Sequence, residues 1–343
     1  MHEIILKIAN KSSKSSNTVA GIVKGIALSR SVSSTRCAQY ISSNAKAASK
    51  IKSVERCYAH GYVDVRETVD FLCSRFDKDA SVITSLDRTN WEHGEQDINA
   101  LVVYCEGSSG SGMVNLKLLD NKGGSSNFDD RKEVLDPVFE RMKGKIRVLL
   151  GDREFFSFEF VNYLIENDIP FVIRIKKSLK CAKELVESLG HISKTLRNCV
   201  IGKFRGKAVR LDLSAKKLQK EDLIVVSYKV HNPLKAYRRR WKIESFFKCL
   251  KTAGFNLEST KLTILSRLEA LFLLCGMAYT FCVRVGLWAH RHIAKIKYKA
   301  TLKCYQFSFF RYGLDYLVSI AFAAHIPRKI YRLKVASTFL TVR

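Results

Sequence analysis

Between Ser81 and Lys176 the apolar residues come in short runs of strand length and in one-sided stretches of helical spacing. Three β-rich runs, Ser81 to Asp87, Asn99 to Cys105 and Met113 to Asp120, are separated by Gly and Ser turns, which predicts three consecutive antiparallel strands. A helix over Arg131 to Met142, a strand over Ile146 to Gly151, a helix over Phe156 to Asn167 and a strand over Phe171 to Lys176 follow, so the order is β-β-β-α-β-α-β. Residues 177–228 are basic and mixed, with strands expected at Cys199 to Phe204, Ala208 to Leu213 and Leu223 to Val230; they read as an insertion. Residues 233–290 carry helical spacing. At the front, Ala20 to Ser29, Ser34 to Ser42 and Asp64 to Phe76 predict a compact helical unit. The longest uncharged apolar run, Ala270 to Val283, falls short of the about 20 residues a membrane span needs and reads as a core helix. No membrane partner is expected.

Charge adds a partner to this outline. The 343 residues hold 59 Lys and Arg against 32 Asp and Glu, a net charge of +27. Such an excess self-repels unless a polyanion neutralises it, and nucleic acid is the expected polyanion. Ten of the cations and only Glu3 and Glu55 fall in residues 1–60; residues 291–343 carry eleven against the single acid Asp315. Three segments are therefore expected: a helical DNA-binding domain over 1–78, a catalytic core over 79–290 with its β insertion at 177–228, and a basic helical C-terminal segment over 291–343. The ten cysteines include no C-x-x-C pair and read as buried free thiols of a reducing cytosol. His290 and His292, the only close histidine pair, have no further ligand type nearby and receive no role. The polar Lys-Ser-Ser-Lys-Ser-Ser run that follows the first apolar residues is not a signal-peptide cleavage region, so the expected location is the cytoplasm, with the nucleoid.

The chemistry begins in the stretch Ala236 to Lys251. Tyr237, Arg240, Glu244, Lys248 and Lys251 recur at intervals of three, four, four and three, and at roughly 100° per residue all five fall within an arc of about 80° of one helix. A solvated face is the plainer explanation of such pairs. One acid among four cationic or aromatic neighbours suits better a carboxylate that ligates a divalent metal while its neighbours grip phosphates. Phosphodiester hydrolysis and strand transfer proceed by in-line attack, and two Mg²⁺ ions stabilise both entering and leaving oxygens, which requires several converging carboxylates. Asp87 closes the first core strand and Asp152 follows the fourth. Either alone would be an ordinary turn or cap residue. The set of three carries the inference.

The element order matches, by analogy, a ribonuclease-H-like α/β core. The spacing Tyr237-x-x-Arg240-x-x-x-Glu244-x-x-x-x-x-x-Lys251 resembles the Y-R-E-K signature of DDE transposases of the insertion sequence 4 family. The likeness extends to Leu-Asp87-Arg-Thr-Asn-Trp91, Asp97-Ile-Asn99, Leu-Leu-Asp120-x-Lys-Gly, Gly151-Asp152-Arg153-Glu-Phe155, Phe171-Val-Ile-Arg174 and Phe307-x-Phe-Phe-Arg311, over roughly residues 20–320. The resemblance implies an α/β, ribonuclease-H-like fold with an inserted β region, an N-terminal helical domain and a C-terminal helical segment. It implies Asp87, Asp152 and Glu244 as catalytic metal ligands, and Tyr237, Arg240, Lys248, Lys251 and Arg153 as DNA contacts. The implied cofactor is Mg²⁺, two ions, with Mn²⁺ as a substitute. The implied substrates are inverted-repeat element ends and target DNA, bound by a homodimer. Phe204, the sole aromatic residue between Ile175 and Tyr228, is the one candidate there to receive a flipped base. The loop Cys105 to Asn115 is rich in Gly and Ser where relatives carry Pro and large apolar residues, and the connection from Val226 to Tyr237 is short. These departures keep two alternatives open: an inactive DNA-binding remnant, and a nuclease of the same fold that does not transpose. A tyrosine recombinase built on Tyr237 would need its own cluster of Arg and His, which the chain lacks.

Overall fold

The computed structural model describes residues 13–59, 63–93, 96–121, 124–189, 193–219 and 221–323. The chain divides into two compact units, one of residues 1–68, 110–112 and 248–343, the other of residues 69–109 and 113–247.

The second unit is built on one eight-stranded sheet: β1 (Val82–His93), β2 (Gln96–Gly107), β3 (Gly110–Leu119), β4 (Ile146–Gly151), β5 (Phe171–Arg174), β6 (Lys194–Phe204), β7 (Lys207–Lys216) and β8 (Leu223–Tyr228). Its order is β3-β2-β1-β4-β5-β8-β7-β6. β2 and β3 are neighbours joined by Ser108 and Ser109 alone, a link too short for anything but an antiparallel hairpin. β1 pairs antiparallel with β2, whereas β4 lies parallel to β1, and β5 to β4, each reached through a crossover helix, Phe128–Arg141 and Phe158–Glu166. The first of these helices starts with a capping box between Asn127 and Asp130, the second with Ser157 accepting from the Phe160 N–H, so both crossovers have a defined entry. The central strands are apolar on both faces: Leu149, Leu150, Phe171, Val172, Ile173, Val225 and Val226 are all buried.

Two features differ from the sequence-based expectation. β1 does not stop at Asp87. It runs on to His93, because Arg88↔Leu101, Trp91↔Ile98 and His93↔Gln96 continue the ladder with β2, while its parallel partner β4 ends opposite Leu86 at Gly151. Asp87 therefore stands where the parallel pairing ends, in the middle of a strand. The strands expected in the insertion at 177–228 continue the same sheet: β8 pairs antiparallel with β5, β7 with β8 and β6 with β7. A helix at Lys180–Glu187, which the basic composition hid, buries Ala182, Leu185 and Val186.

The first unit is helical and draws on both ends of the chain. The helices Ser13–Ser29 and Ala47–Ala59 pack with Leu265–His292, Ser34–Ala38 packs on Ser13–Ser29 and Ala47–Ala59, and Phe309–Ala323 packs on Leu265–His292 and Ser13–Ser29. Ala47–Ala59 was not expected from the sequence, and Ser34–Ala38 is shorter than the Ser34 to Ser42 expected. Gly286 and Gly313 allow the two C-terminal helices to cross: a Cβ on Gly286 would lie 1.9 Å from the Phe309 carbonyl oxygen, and one on Gly313 would lie 1.8 Å from that of Cys282. Leu265–His292 has 28 residues and a window of mean hydropathy 1.8, long and apolar enough by composition to cross a membrane; 78% of that window is buried inside the protein. All ten cysteines are free thiols, with Cys37, Cys57, Cys73, Cys105, Cys275 and Cys282 buried. The last residues of the expected basic C-terminal segment, and Lys7 and Lys11 of the N-terminal cations, lie outside the described residues.

Candidate active site

The candidate site lies in the sheet unit, and each of its side chains is delivered by a local device. Asp87 is placed at the point where β1 loses its parallel neighbour. Its Oδ1 accepts the Arg88 N–H at 2.9 Å, which leaves Oδ2 for a distant partner. Asp152 follows β4 directly and takes the N-cap position of a short 3₁₀ turn, Arg153–Phe155, yet its side chain makes no capping bond. The ordinary structural role of such an aspartate is thus not taken up. Instead Asp152 Oδ1 accepts the Tyr237 hydroxyl at 3.0 Å, with Arg174 Nη1 at 4.0 Å.

The stretch carrying Tyr237 and Glu244 is not the continuous helix from Ala236 to Lys251 that its periodicity predicts. A short helix, Pro233–Tyr237, is capped by Asn232 and started by Pro233; a 3₁₀ turn, Arg238–Arg240, follows, and then the helix Trp241–Leu250. In a 3₁₀ turn residues three apart eclipse. Arg240 accordingly lies over the Tyr237 ring, 5.7 Å from its centroid, while a uniform helical step would place the two about 60° apart. The tightened turn also buries Arg240, and its neighbours Arg238 and Arg239 stay exposed.

Buried Arg240 joins the site together. Its Nη1 is 2.6 Å from Asp87 Oδ2 and its Nη2 is 2.5 Å from Glu244 Oε1, so one guanidinium bridges carboxylates 157 positions apart in the chain. Its Nε is buried and has no hydrogen-bond acceptor among the described residues. Burial works against the Arg240 charge, but Asp87 first, with Tyr237, Asp152 and Glu244 behind it, outweighs that cost and holds the group firmly protonated. Asp87 responds in the opposite sense. Burial pushes its carboxyl up to about 6 against the pull of Arg240 and of the Arg88 N–H, and the charges of Asp152 and Glu244 push the same way. Burial likewise raises the Tyr237 phenol, with Arg240 opposing and Asp152 adding to the shift, so at neutral pH Tyr237 is a donor.

Asp87, Asp152, Glu244, Tyr237 and Arg240 are therefore brought together. Arg153 stands half-exposed beside them, its Nη1 3.1 Å from Glu221 Oε1. Lys248 is exposed one turn beyond Glu244 on the same helix, where the chain passes into the helical unit. In that unit Lys251 pairs with Glu258 at 3.2 Å. Two supports lacked a role in the sequence. Arg174, at the end of β5, reaches Asp152 and binds Glu221 at 2.6 Å. Arg88 grips Glu154 at 2.8 Å and donates to Asn99 Oδ1 and the Gly124 carbonyl, both at 2.9 Å, tying the residue after Asp87 to the turn after Asp152. All four of Arg88, Asn99, Glu154 and Arg174 stand within the motifs that carried the family resemblance, the one signal that could have marked them.

Carboxylate oxygens are hard ligands of the type that Mg²⁺ and Mn²⁺ take. Among the described residues no three acidic, histidine or cysteine side chains stand close enough to share one metal ion, and the Arg240 guanidinium spans Asp87 and Glu244. The donor set of three carboxylates fits a divalent cation.

No curated protein sequence matches the chain. A family model described as the transposase DDE domain matches residues 81–281, more than half of the chain and the segment that holds all three carboxylates. The protein belongs to the transposase DDE domain family, whose members generally use divalent metal ions.

Proposed function

We propose that this protein is a cut-and-paste DNA transposase of the insertion sequence 4 type, with a ribonuclease-H-like core over residues 79–290 and its β insertion at 177–228. Asp87, Asp152 and Glu244 would hold two Mg²⁺ ions, or Mn²⁺ in their place. The observation that carries the assignment is the bridging of Asp87 and Glu244 by Arg240 beside the Tyr237–Asp152 bond, which groups three acids from β1, β4 and a distant helix within the matched family segment. Bound divalent cations supply a nucleophilic oxygen at neutral pH and neutralise charge on the entering and leaving oxygens of an in-line displacement.

The protein's own groups do the rest. Asp87 stands in β1 just past its last parallel pair with β4 and Asp152 directly follows β4, so the sheet fixes their separation. Arg88, through Glu154, locks the turn after Asp152 to β1. Tyr237 orients the Asp152 carboxylate by donating to one oxygen and leaving the other free to ligate. Half-exposed Arg153 and exposed Lys248 are available to phosphates, and Lys251 would exchange Glu258 for one. Residues 1–78 and 291–343, both rich in cations, would bind the inverted-repeat ends and flanking DNA, with two copies of the chain pairing two ends in the nucleoid.

Duplexes carrying the inverted repeats that flank the gene provide the test. With Mg²⁺, the wild type is expected to nick these ends and join the freed 3′-hydroxyl to target DNA, and Asp87→Ala to do neither. Cleavage without joining would make the protein a nuclease of this fold. Equal, background cleavage by both proteins would make it an inactive remnant.

A further inference from the structure

We propose that Arg240 is a resident counter-cation of the metal site, and that a divalent ion enters by displacing its guanidinium from Asp87 and Glu244. The inference rests on the assignment of these acids as metal ligands, and goes beyond it by giving Arg240 a role that opposes metal binding.

Arg240 uses two different nitrogens on two different carboxylates, at 2.6 and 2.5 Å, so it occupies the space between the oxygens that a shared cation would need. Its side chain is only 11% exposed, that of Asp87 14% and that of Glu244 31%, so once the guanidinium leaves solvent screens Asp87 poorly and Glu244 only in part. Removal of Arg240 without replacement would set two carboxylates against each other in a poorly screened place, and the strongest compensation is a cation of higher charge density. Asp152 is held separately by Tyr237, so the third acid keeps its orientation while the other two change partner. The buried Nε, with no acceptor, shows that the guanidinium is held by the two acids at its Nη groups and by no third hydrogen bond among the described residues. A displaced guanidinium keeps its charge and its planar fork, the geometry that grips phosphate in two places. Its burial here and its assignment as a DNA contact thus describe two positions of one side chain.

An arginine that merely positions the carboxylates and one that competes with the metal make opposite forecasts. Mn²⁺ binding to the metal-free protein is to be followed by the electron paramagnetic resonance signal of free Mn²⁺, for the wild type, Arg240→Gln, Arg240→Lys and Asp87→Asn, without DNA. Competition requires Arg240→Gln to bind Mn²⁺ more tightly than the wild type, by about tenfold or more. Without metal, Arg240→Gln should melt at lower temperature than the wild type, and saturating Mn²⁺ should close the gap. Arg240→Lys, which keeps one charge and can reach one acid at a time, should fall between and covers the case in which the Gln variant does not fold. Weaker or unchanged Mn²⁺ affinity in the folded Arg240 variants would overturn the proposal while Asp87-dependent binding in the wild type upheld the metal site. Absence of Asp87-dependent binding in every protein would overturn both.

Discussion

Two aspartates eight residues apart, Asp79 buried before β1 and Asp87 partly buried within it, show what separates a structural acid from a chemical one. Asp79 accepts from Ser108 Oγ at 2.6 Å, Ser109 Oγ at 2.6 Å and the Ser109 N–H at 3.0 Å, all neutral donors in the turn between β2 and β3. That turn approaches so closely that a Cβ on Gly107 would lie 1.9 Å from Asp79 Oδ2. The acid is saturated by its own neighbourhood. Asp87 has one backbone donor and a single cation, which it shares with Glu244. Burial lifts its carboxyl to about 6, and Asp152 and Glu244 add to the lift. A buried acid surrounded by hydroxyls closes a turn; a partly buried acid whose counter-ion is divided with a second acid, beside a third, is short of positive charge. It is the shortage, not the burial, that marks a site.

Exchange of each aspartate for a neutral residue sharpens the contrast. Asp87→Asn should reduce Mg²⁺-dependent cleavage of the element ends to background in a protein that still unfolds cooperatively. Asp79→Ala should do the reverse: it removes the acceptor of three donors in a half-exposed turn and should cost about 1–2 kcal/mol in denaturant unfolding, with cleavage retained at temperatures where the variant is folded. Loss of cleavage by folded Asp79→Ala, or of comparable stability by Asp87→Asn, would dissolve the distinction.

A pH series makes the next cut. Asp87 carries a folded-state pKa of about 6 against an ordinary 3.8, so between those values the folded protein holds a proton that the unfolded chain has released. Stability of the metal-free protein should therefore fall as pH rises from about 4 to 6 and level off above, by something on the order of 2 kcal/mol. The difference between wild type and Asp87→Asn across the series isolates this term. A difference that is flat with pH would mean that burial and the neighbouring acids do not lift the Asp87 carboxyl. The smallest effect is expected at Arg88. Arg88→Ala removes the bonds to Glu154, Asn99 and Gly124 and should cost about 1–2 kcal/mol, with cleavage falling further than that loss explains, because the turn behind Asp152 is no longer tied to β1. Equal falls in stability and activity would reduce Arg88 to a structural tie.

The parts of this picture that were legible in the sequence are those set by local patterning. The order of strands from β1 to β5, the place of Asp152 after β4 and the grouping of Tyr237, Arg240 and Glu244 followed from period-two and period-3.6 spacing with Gly and Ser punctuation. What stayed hidden depends on partners far away in the chain. β1 runs past Asp87 because β2 continues to pair with it, a fact written in both strands at once. The 3₁₀ turn at Arg238–Arg240 has no breaker residue to announce it, and its function is visible only when Arg240 meets Asp87. Helices Ala47–Ala59 and Lys180–Glu187 are so rich in Lys and small residues that their buried faces, Val54 with Cys57 and Leu185 with Val186, were too narrow to stand out. The separate fates of Asp79 and Asp87 could not be read at all, because only the Ser108–Ser109 turn on one side and Arg240 on the other tell them apart.

Asp87, Asp152 and Glu244 are proposed to hold the divalent metal together, and the metal itself can report their positions. Fe²⁺ substituted for Mg²⁺, with ascorbate and peroxide, generates hydroxyl radicals at the metal and cuts the backbone nearby; the fragments can be mapped by mass spectrometry. The expected result is scission clustered around residues 87, 152 and 244, suppressed by excess Mg²⁺ and lost in Asp152→Asn. Scission at other positions, or at these three but indifferent to Mg²⁺ and to Asp152→Asn, would contradict the account.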